Sequence, residues 1–392
     1  MSEFPIVEIG SVARIQSGFS FKSSDWKADG IPVVKIANVK NGRVDHEGLG
    51  YVDEQVAEKA SRFSLSTGDV LLAMTGYVGE VAVVRDWDLP LLLNQRVGRC
   101  EPMSMDVDKS FLYYALSSAD ARRQLENLAQ GSAQPNLSAR DFGSVEVRLP
   151  PLSEQQAIAG VLGALDDKIE SNRRLAELVD GLIRAEFQRF AEQETSEIVV
   201  VGEIINRVHN AVNPSTLPPT TEYIGLEHMP RGLMFLDQWG NAGGVDSGKS
   251  HFEVSDVLFG KLRPNFRKVG IAPLSGICST DILVLRPKSG FSVALVLAIV
   301  TSEVVLGPAI AASSGTKMPR VSWEYLSGLP IRVPDVSGRT EFTDTVDPMI
   351  QRAMKSLLEN RTLENVRDSL LPELLSGRLR VRDAEKVVEG AV

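Results

Sequence analysis

Beyond Pro150 the polar and apolar positions change rhythm. Ile158, Leu162, Leu165, Ile169, Asn172, Ala176, Val179 and Ile183 step by fours and threes, the spacing that lines one face of a helix against a partner helix. Ser153 with Gln156 three residues on predicts a capping box at its start. About forty residues at 1.5 Å each give a rod of roughly 60 Å. A second stripe runs through Ile350, Leu357, Leu363, Val366, Leu370 and Leu374, with Asn360 in step and Gly377-Arg378 as its stop. Pro348 is expected to open or kink this helix and Pro372 to disturb its last turns, while Gly181 weakens the first helix by about 1 kcal/mol relative to alanine. Two such stripes in one chain most simply pack on each other, antiparallel. Elsewhere the apolar runs are short. Stretches 31–39, 69–74, 79–84 and 145–149 are β-branched and bounded by Gly, Pro or Asp, which predicts strands.

The chain repeats itself. Gly131-Ser132-Ala133-Gln134-Pro135-Asn136-Leu137-Ser138 matches Gly315-Thr316-Lys317-Met318-Pro319-Arg320-Val321-Ser322 at an offset that also carries Arg148 onto Arg332 and Pro150 onto Pro334. Gly68-Asp69-Val70-Leu71-Leu72 resembles Ser255-Asp256-Val257-Leu258-Phe259, and Asn172-Arg173-Arg174-Leu175 resembles Asn360-Arg361-Thr362-Leu363. Anchors in the same order imply a duplicated domain followed each time by a long helix. The expected architecture is α+β: two β-rich domains in pseudo-twofold repeat, separated by two long antiparallel coiled-coil helices. The divisions fall at 1–150, 151–194, 195–336 and 337–380, with a flexible tail at 381–392.

Length and composition agree with several globular units: 392 residues, 43% hydrophobic and 24% charged. Cys100 and Cys278 stand far apart outside any CxxC pattern, so buried reduced thiols are expected rather than a disulfide or zinc site. The N-terminus has no basic region followed by an apolar run, and no stretch of eighteen residues is apolar throughout, so the expected location is the cytoplasm. The net charge of −9 argues at first against a nucleic-acid partner. Its distribution changes that. Residues 258–290 carry Lys261, Arg263, Arg267, Lys268, Arg286 and Lys288 against the single acid Asp281, whereas residues 153–194 hold nine acids and five bases. A basic patch beside an acidic helix fits a protein that touches DNA in one place and proteins in another.

Catalytic constellations are missing from the sequence. It contains no GxxxxGK[ST] loop for ATP, no FxGxG-like turn for S-adenosylmethionine and no [DN]PP[YF] tetrapeptide, Asn213-Pro214-Ser215 lacking the second proline and the aromatic. His46, His209, His228 and His251 have no metal-ligand spacing.

Leu149-Pro150-Pro151-Leu152-Ser153-Glu154-Gln155-Gln156 before the first helix, and Leu371-Pro372-Glu373-Leu374-Leu375-Ser376-Gly377-Arg378-Leu379 at the end of the second, resemble the specificity subunits of type I restriction-modification systems. The resemblance extends over nearly the whole chain. It takes in residues 18–39, Gly68-Asp69-Val70-Leu71 with Gly76 and Gly79, Asn94-Gln95-Arg96, and Phe259-Gly260-Lys261-Leu262-Arg263-Pro264 leading to Ser279-Thr280-Asp281.

The resemblance implies a non-catalytic subunit with two target-recognition domains, each reading one half of a split asymmetric site in double-stranded DNA, the paired helices fixing the gap. Two methyltransferase subunits would bind the helical region and carry S-adenosylmethionine, this chain holding no cofactor or metal of its own. Restriction and translocase subunits would join in a system that also restricts. Base reading calls for Arg or Lys opposite guanine and Asn or Gln opposite adenine, on loops held by a rigid core. The candidates are Lys22, Lys35, Asn38, Gln95, Arg96, Gln134 and Asn136 in the first domain, and Lys261, Arg263, Asn265, Arg267, Lys268, Lys317 and Arg320 in the second. Gln134 is expected to read a base and Lys268 to anchor phosphate. The helix seam should comprise Ile158, Leu162, Leu165, Ile169, Asn172, Val179 and Ile183 facing Ile350, Leu357, Asn360, Leu363 and Leu370. Two other readings compete: a DNA-independent coiled-coil adaptor, and a single-chain methyltransferase or nuclease.

Overall fold

The computed structural model describes residues 4–129, 136–192, 196–313 and 319–390. They form two units. The first takes residues up to Asp167 together with those from Leu363 onward; the second takes Lys168–Thr362.

In the first unit a six-stranded sheet runs in the order Ala13–Ser17, Val97–Pro102, Val70–Ala73, Val81–Val83, Gly42–Val44, Val39–Lys40. Val70–Ala73 is buried at every residue, the mark of a central strand covered on both faces, and its run of four apolar side chains is what such a position requires. A four-stranded sheet orders Leu92–Leu93, Ile31–Val34, Gly50–Val52 and Trp26–Lys27, and Ile6–Glu8 pairs antiparallel with Glu146–Arg148. The expected strand at 31–39 therefore stops at Val34, where a 3-10 turn, Ile36–Asn38, intervenes. The second unit repeats the plan. Ile205–Val208, Ile282–Pro287, Val257–Gly260 and Val269–Ile271 form one sheet, five short strands form another, and Glu197–Val200 pairs with Pro330–Val333.

The halves share the polar joints that fix these sheets. Asp69 accepts from Ser66 N at 2.9 Å and pairs with Arg99, 3.4 Å away. Asp256 accepts from Glu253 N at 2.8 Å and pairs with Arg286 through two bonds of 2.7 and 2.8 Å. Both aspartates open a central strand, and both are buried. Ser138 and Ser322, equivalent in the repeat, each cap a short helix, Ala139–Gly143 and Trp323–Ser327, by accepting from the third residue on at 3.2 Å.

Two long helices, Leu152–Ala191 and Val336–Leu375, have 40 residues each. Every seam residue expected from the spacing is buried, from Ile158 and Leu162 at 0% exposure to Asn172 at 4% and Val179 at 5%. In the second unit the helices run antiparallel: Asn172 meets Asn360, Arg189 meets Glu341, and Phe190 packs on Phe342 with ring centroids 6.0 Å apart. Their apolar faces share a core with Val257, Leu283 and the buried helix Val293–Thr301. In the first unit Arg367 of the second helix pairs with Asp166 of the first at 2.8 Å, and Tyr114 donates to the other Asp166 oxygen at 2.8 Å.

Several local expectations are corrected. The first long helix begins at Leu152, so Ser153 is no cap. Gln155, 1% exposed, secures this end instead by donating to Pro150 O (2.8 Å) and Asp106 O (3.1 Å) and accepting from Asp108 N (2.9 Å). Pro348 and Pro372 lie inside the second helix without ending it. The carbonyls they strip of donors belong to Asp344 and Asp368, both exposed residues that solvent can reach. The expected flexible tail contains a helix, Val381–Glu389, anchored by the buried Ala384. Among the described residues no single helix is long and apolar enough to cross a membrane.

Candidate nucleic-acid interface

A main-chain frame built the same way in each unit holds the loops that the repeat had singled out. In the first unit, Leu137 N donates to Met74 O (2.9 Å) and Met74 N to Arg96 O (3.2 Å), placing the backbones at 74–75, 96 and 136–137 side by side. In the second, Val321 N donates to Lys261 O (3.0 Å) and Lys261 N to Asp281 O (2.9 Å). Thr75 bridges to Asn136 and Leu262 to Arg320, both antiparallel. Met74 thus corresponds to Lys261, Arg96 to Asp281 and Asn136 to Arg320.

The side chains on this frame differ. In the first unit Gln95, Arg96 and Asn136 are exposed, and Thr75 Oγ1 donates to Asn136 Oδ1 at 2.7 Å. Tyr77, 57% exposed, lies just past Thr75 in a turn where Gly76 and Gly79 take positive φ values of 74° and 89°. A β-carbon would be strained there. In the second unit Arg320 holds Asp281 through two bonds of 2.9 and 3.1 Å. The Arg320 guanidinium keeps the Asp281 carboxyl below the usual carboxylate range. Arg263 and Asn265 are exposed on the next loop. There Arg263 and Arg267 bracket the 3-10 turn Pro264–Phe266 with left-handed φ values of 53° and 51°, a conformation costing about 1–2 kcal/mol per residue outside glycine. Lys261 lines an adjoining cleft of about 720 Å³ together with Arg207, His209, Asn213, Lys249 and Thr280.

Not every candidate belongs to this surface. Lys22 is exposed, and its backbone N–H is held by Asp25 at 2.8 Å. Lys35 is half-buried with its ammonium 5.7 Å from the Trp26 ring centroid, a cation–π arrangement. Asn38 is fully buried. It accepts from Lys35 N (2.9 Å) and donates to Asp45 O (2.7 Å) and Glu47 O (2.9 Å), so it braces its own turn and is not placed to read a base. Its counterpart His228 braces the equivalent turn through Gly225 N at 2.9 Å. The Lys268 ammonium donates to Leu226 O inside the second unit. Arg267 is paired with Glu303. Gln134 and Lys317 lie outside the described residues.

Sequence reasoning missed the partners of the candidates Asn136 and Arg320, which are Thr75 and Asp281, and the cleft residues Arg207, His209 and Lys249. Registering the two halves through residues 94–96 and 279–281 would have placed Asp281 opposite Arg96 and revealed the charge reversal. Both cysteines are buried and unpaired, and burial pushes each thiol up to about 12.

The family described as type I restriction modification DNA specificity domain matches residues 1–179. The MjaVIII specificity subunit of Methanocaldococcus jannaschii is 32% identical over 182 residues, 45% of this chain and 43% of that protein. Against this relative the chain matches less than half of the partner's length. The MjaIX specificity subunit of the same organism is 22% identical over 96% of this chain and 93% of its own length, and the Escherichia coli EcoBI specificity subunit is 28% identical over 45% of this chain. Among solved structures, the type I restriction-modification S subunit from M. genitalium shares the fold, with a TM-score of 0.58, 16% identity and coverage of 95% of this chain and 96% of that one.

Proposed function

We propose, from the premise that this chain belongs to the type I restriction-modification specificity family, that it is the DNA-recognition subunit of such a complex. Each α+β unit reads one half of a split asymmetric site in double-stranded DNA, and catalysis resides in partner subunits. The observation that carries this reading is the shared frame bearing unlike side chains: Arg96 and Asn136 in one unit stand where Asp281 and Arg320 stand in the other. A duplicated protein-binding module for two identical partners would keep its contact residues alike. Two modules that differ at exposed, hydrogen-bonding positions on a common scaffold suit two different base sequences.

Two methyltransferase subunits, carrying S-adenosylmethionine, would bind the helical segments. In a restricting system nuclease-translocase subunits join them, and the assembly works in the cytoplasm. The test is to express the chain with its methyltransferase subunits and map modified adenines across genomic DNA. The expected result is a split motif with a fixed gap. Adenines unmodified above background, together with no salt-dependent affinity of the assembled complex for duplex DNA, would overturn the reading in favour of a DNA-independent adaptor.

A further inference from the structure

The Arg320–Asp281 pair stands at an exposed position of the second unit's frame. We infer that Arg320, buttressed by Asp281, is a specificity-determining residue that reads a guanine in one half-site. The inference rests on the DNA-recognition function proposed above and adds the base and the residues.

Four observations carry it. First, Arg320 is fixed at its backbone from both sides: it bridges to Leu262, Val321 N donates to Lys261 O, and Ser322 caps the helix that follows. Second, Asp281 takes up only part of the guanidinium. Its carboxylate accepts from Nε at 2.9 Å and from Nη2 at 3.1 Å. Arginine has five N–H donors in a rigid fork, so both Nη1 hydrogens and the second Nη2 hydrogen remain. Among the described residues that end of the fork has no other partner, and it matches the O6 and N7 acceptors that guanine shows in the major groove.

Third, the buttress is itself positioned, since Asp281 N is bonded to Ser279 Oγ at 3.2 Å and Asp281 O accepts from Lys261 N. A long side chain held in one rotamer before binding loses less entropy when it docks. Fourth, the pair is accessible, with side-chain exposure of 48% for Arg320 and 26% for Asp281. An exposed ion pair adds little to folding, which leaves orientation as its contribution. The first unit uses the same position differently. Among the described residues Asn136 receives a hydrogen bond from Thr75 and keeps its amide hydrogens and one lone pair, so a change at Arg320 should alter one half-site only.

The test uses the full chain assembled with its methyltransferase subunits and duplexes bearing the mapped site, each half-site base pair replaced in turn, with affinity read by fluorescence anisotropy. The wild-type complex should lose roughly ten- to a hundredfold affinity when one particular guanine is replaced. Arg320→Ala and Arg320→Lys should bind all four bases at that position within about threefold while keeping every other preference. Lysine tests the fork, because it retains the charge without the bidentate geometry. Asp281→Asn, nearly isosteric, should reduce discrimination at the same base and nowhere else, and thermal melts of the complex confirm folding.

Three results would overturn the inference: unchanged preferences in Arg320→Ala, equal weakening across all duplexes as for a phosphate anchor, or restored discrimination in Arg320→Lys. A wild-type complex without any split motif would overturn the proposed function itself, so the two failures are distinguishable.

Discussion

Replacing Asn172 by alanine removes one half of a buried polar pair in the helix seam. The Asn172 amide donates to Asn360 Oδ1 (2.8 Å), Ser356 O (3.0 Å) and the Glu359 carboxylate (3.0 Å), while Asn360 Nδ2 donates back to Ile169 O at 3.1 Å. Both side chains are under 5% exposed. Ser356 O lies in a helix and retains a main-chain donor, so the group left stranded is Asn360 Oδ1. A buried acceptor without a partner costs about 1–3 kcal/mol. Asn360→Ala should cost less, because the Asn172 amide keeps Ser356 O and the Glu359 carboxylate and Ile169 O keeps its helical donor. The double Ala variant leaves neither stranded, so its loss should fall short of the sum by at least about 1 kcal/mol. Replacing both residues by leucine should give a seam at least as stable as the original, because only the specificity of the polar pairing is then lost.

The assay is calorimetric melting of the full chain, following the transition of the unit that holds Lys168–Thr362. A loss of 2 kcal/mol in a unit of this size lowers the midpoint by about 4–8 °C. The comparison uses shifts between variants, since a chain with two units need not melt as one. Additive single and double losses, within about 0.5 kcal/mol, would refute the coupling, and so would a double leucine variant that melts well below the native chain.

Arg286→Ala should destabilise the second unit by about 2–4 kcal/mol, because Asp256, with a side chain only 2% exposed, would lose both of its guanidinium bonds; a urea midpoint unchanged from the native chain would contradict this. Asn38→Ala should cost about 1–3 kcal/mol in the first unit by releasing the 3-10 turn it braces, without changing which bases the mapped motif contains; a relaxed motif at full stability would return Asn38 to the readers. Cys100 and Cys278 should resist a thiol reagent at pH 8 in the folded chain and react fully in denaturant, since burial holds both thiols protonated at that pH.

The helix seam could be read from the sequence because large apolar residues at threes and fours leave few ways to bury them, and a short apolar run bounded by Gly and Asp marked the strand around Val70. Helix ends were harder. Ser153 and Gln156 have the capping-box spacing, but Gln155 fastens that end through tertiary contacts that no local pattern encodes. Pro348 could open a helix or lie within one, and local sequence does not decide between them; it lies inside Val336–Leu375. Among candidate readers, residue type alone could not separate Asn38, whose amide is consumed by main-chain partners, from Asn136, whose amide is accessible. Charge alone likewise does not show that Lys268, in a basic run, spends one of its donors on a carbonyl inside its own unit.

The frame that carries Asn136 and Arg320 is made of main-chain hydrogen bonds, which any residue except proline can supply on the donor side. A mutation at either position therefore leaves the ladder intact, and an exposed substitution of this kind usually moves stability by no more than about 0.5 kcal/mol. On the function proposed above, such a scaffold lets what is recognised change one residue at a time without passing through unfolded intermediates. Selection can then act on target choice while the fold stays out of its reach.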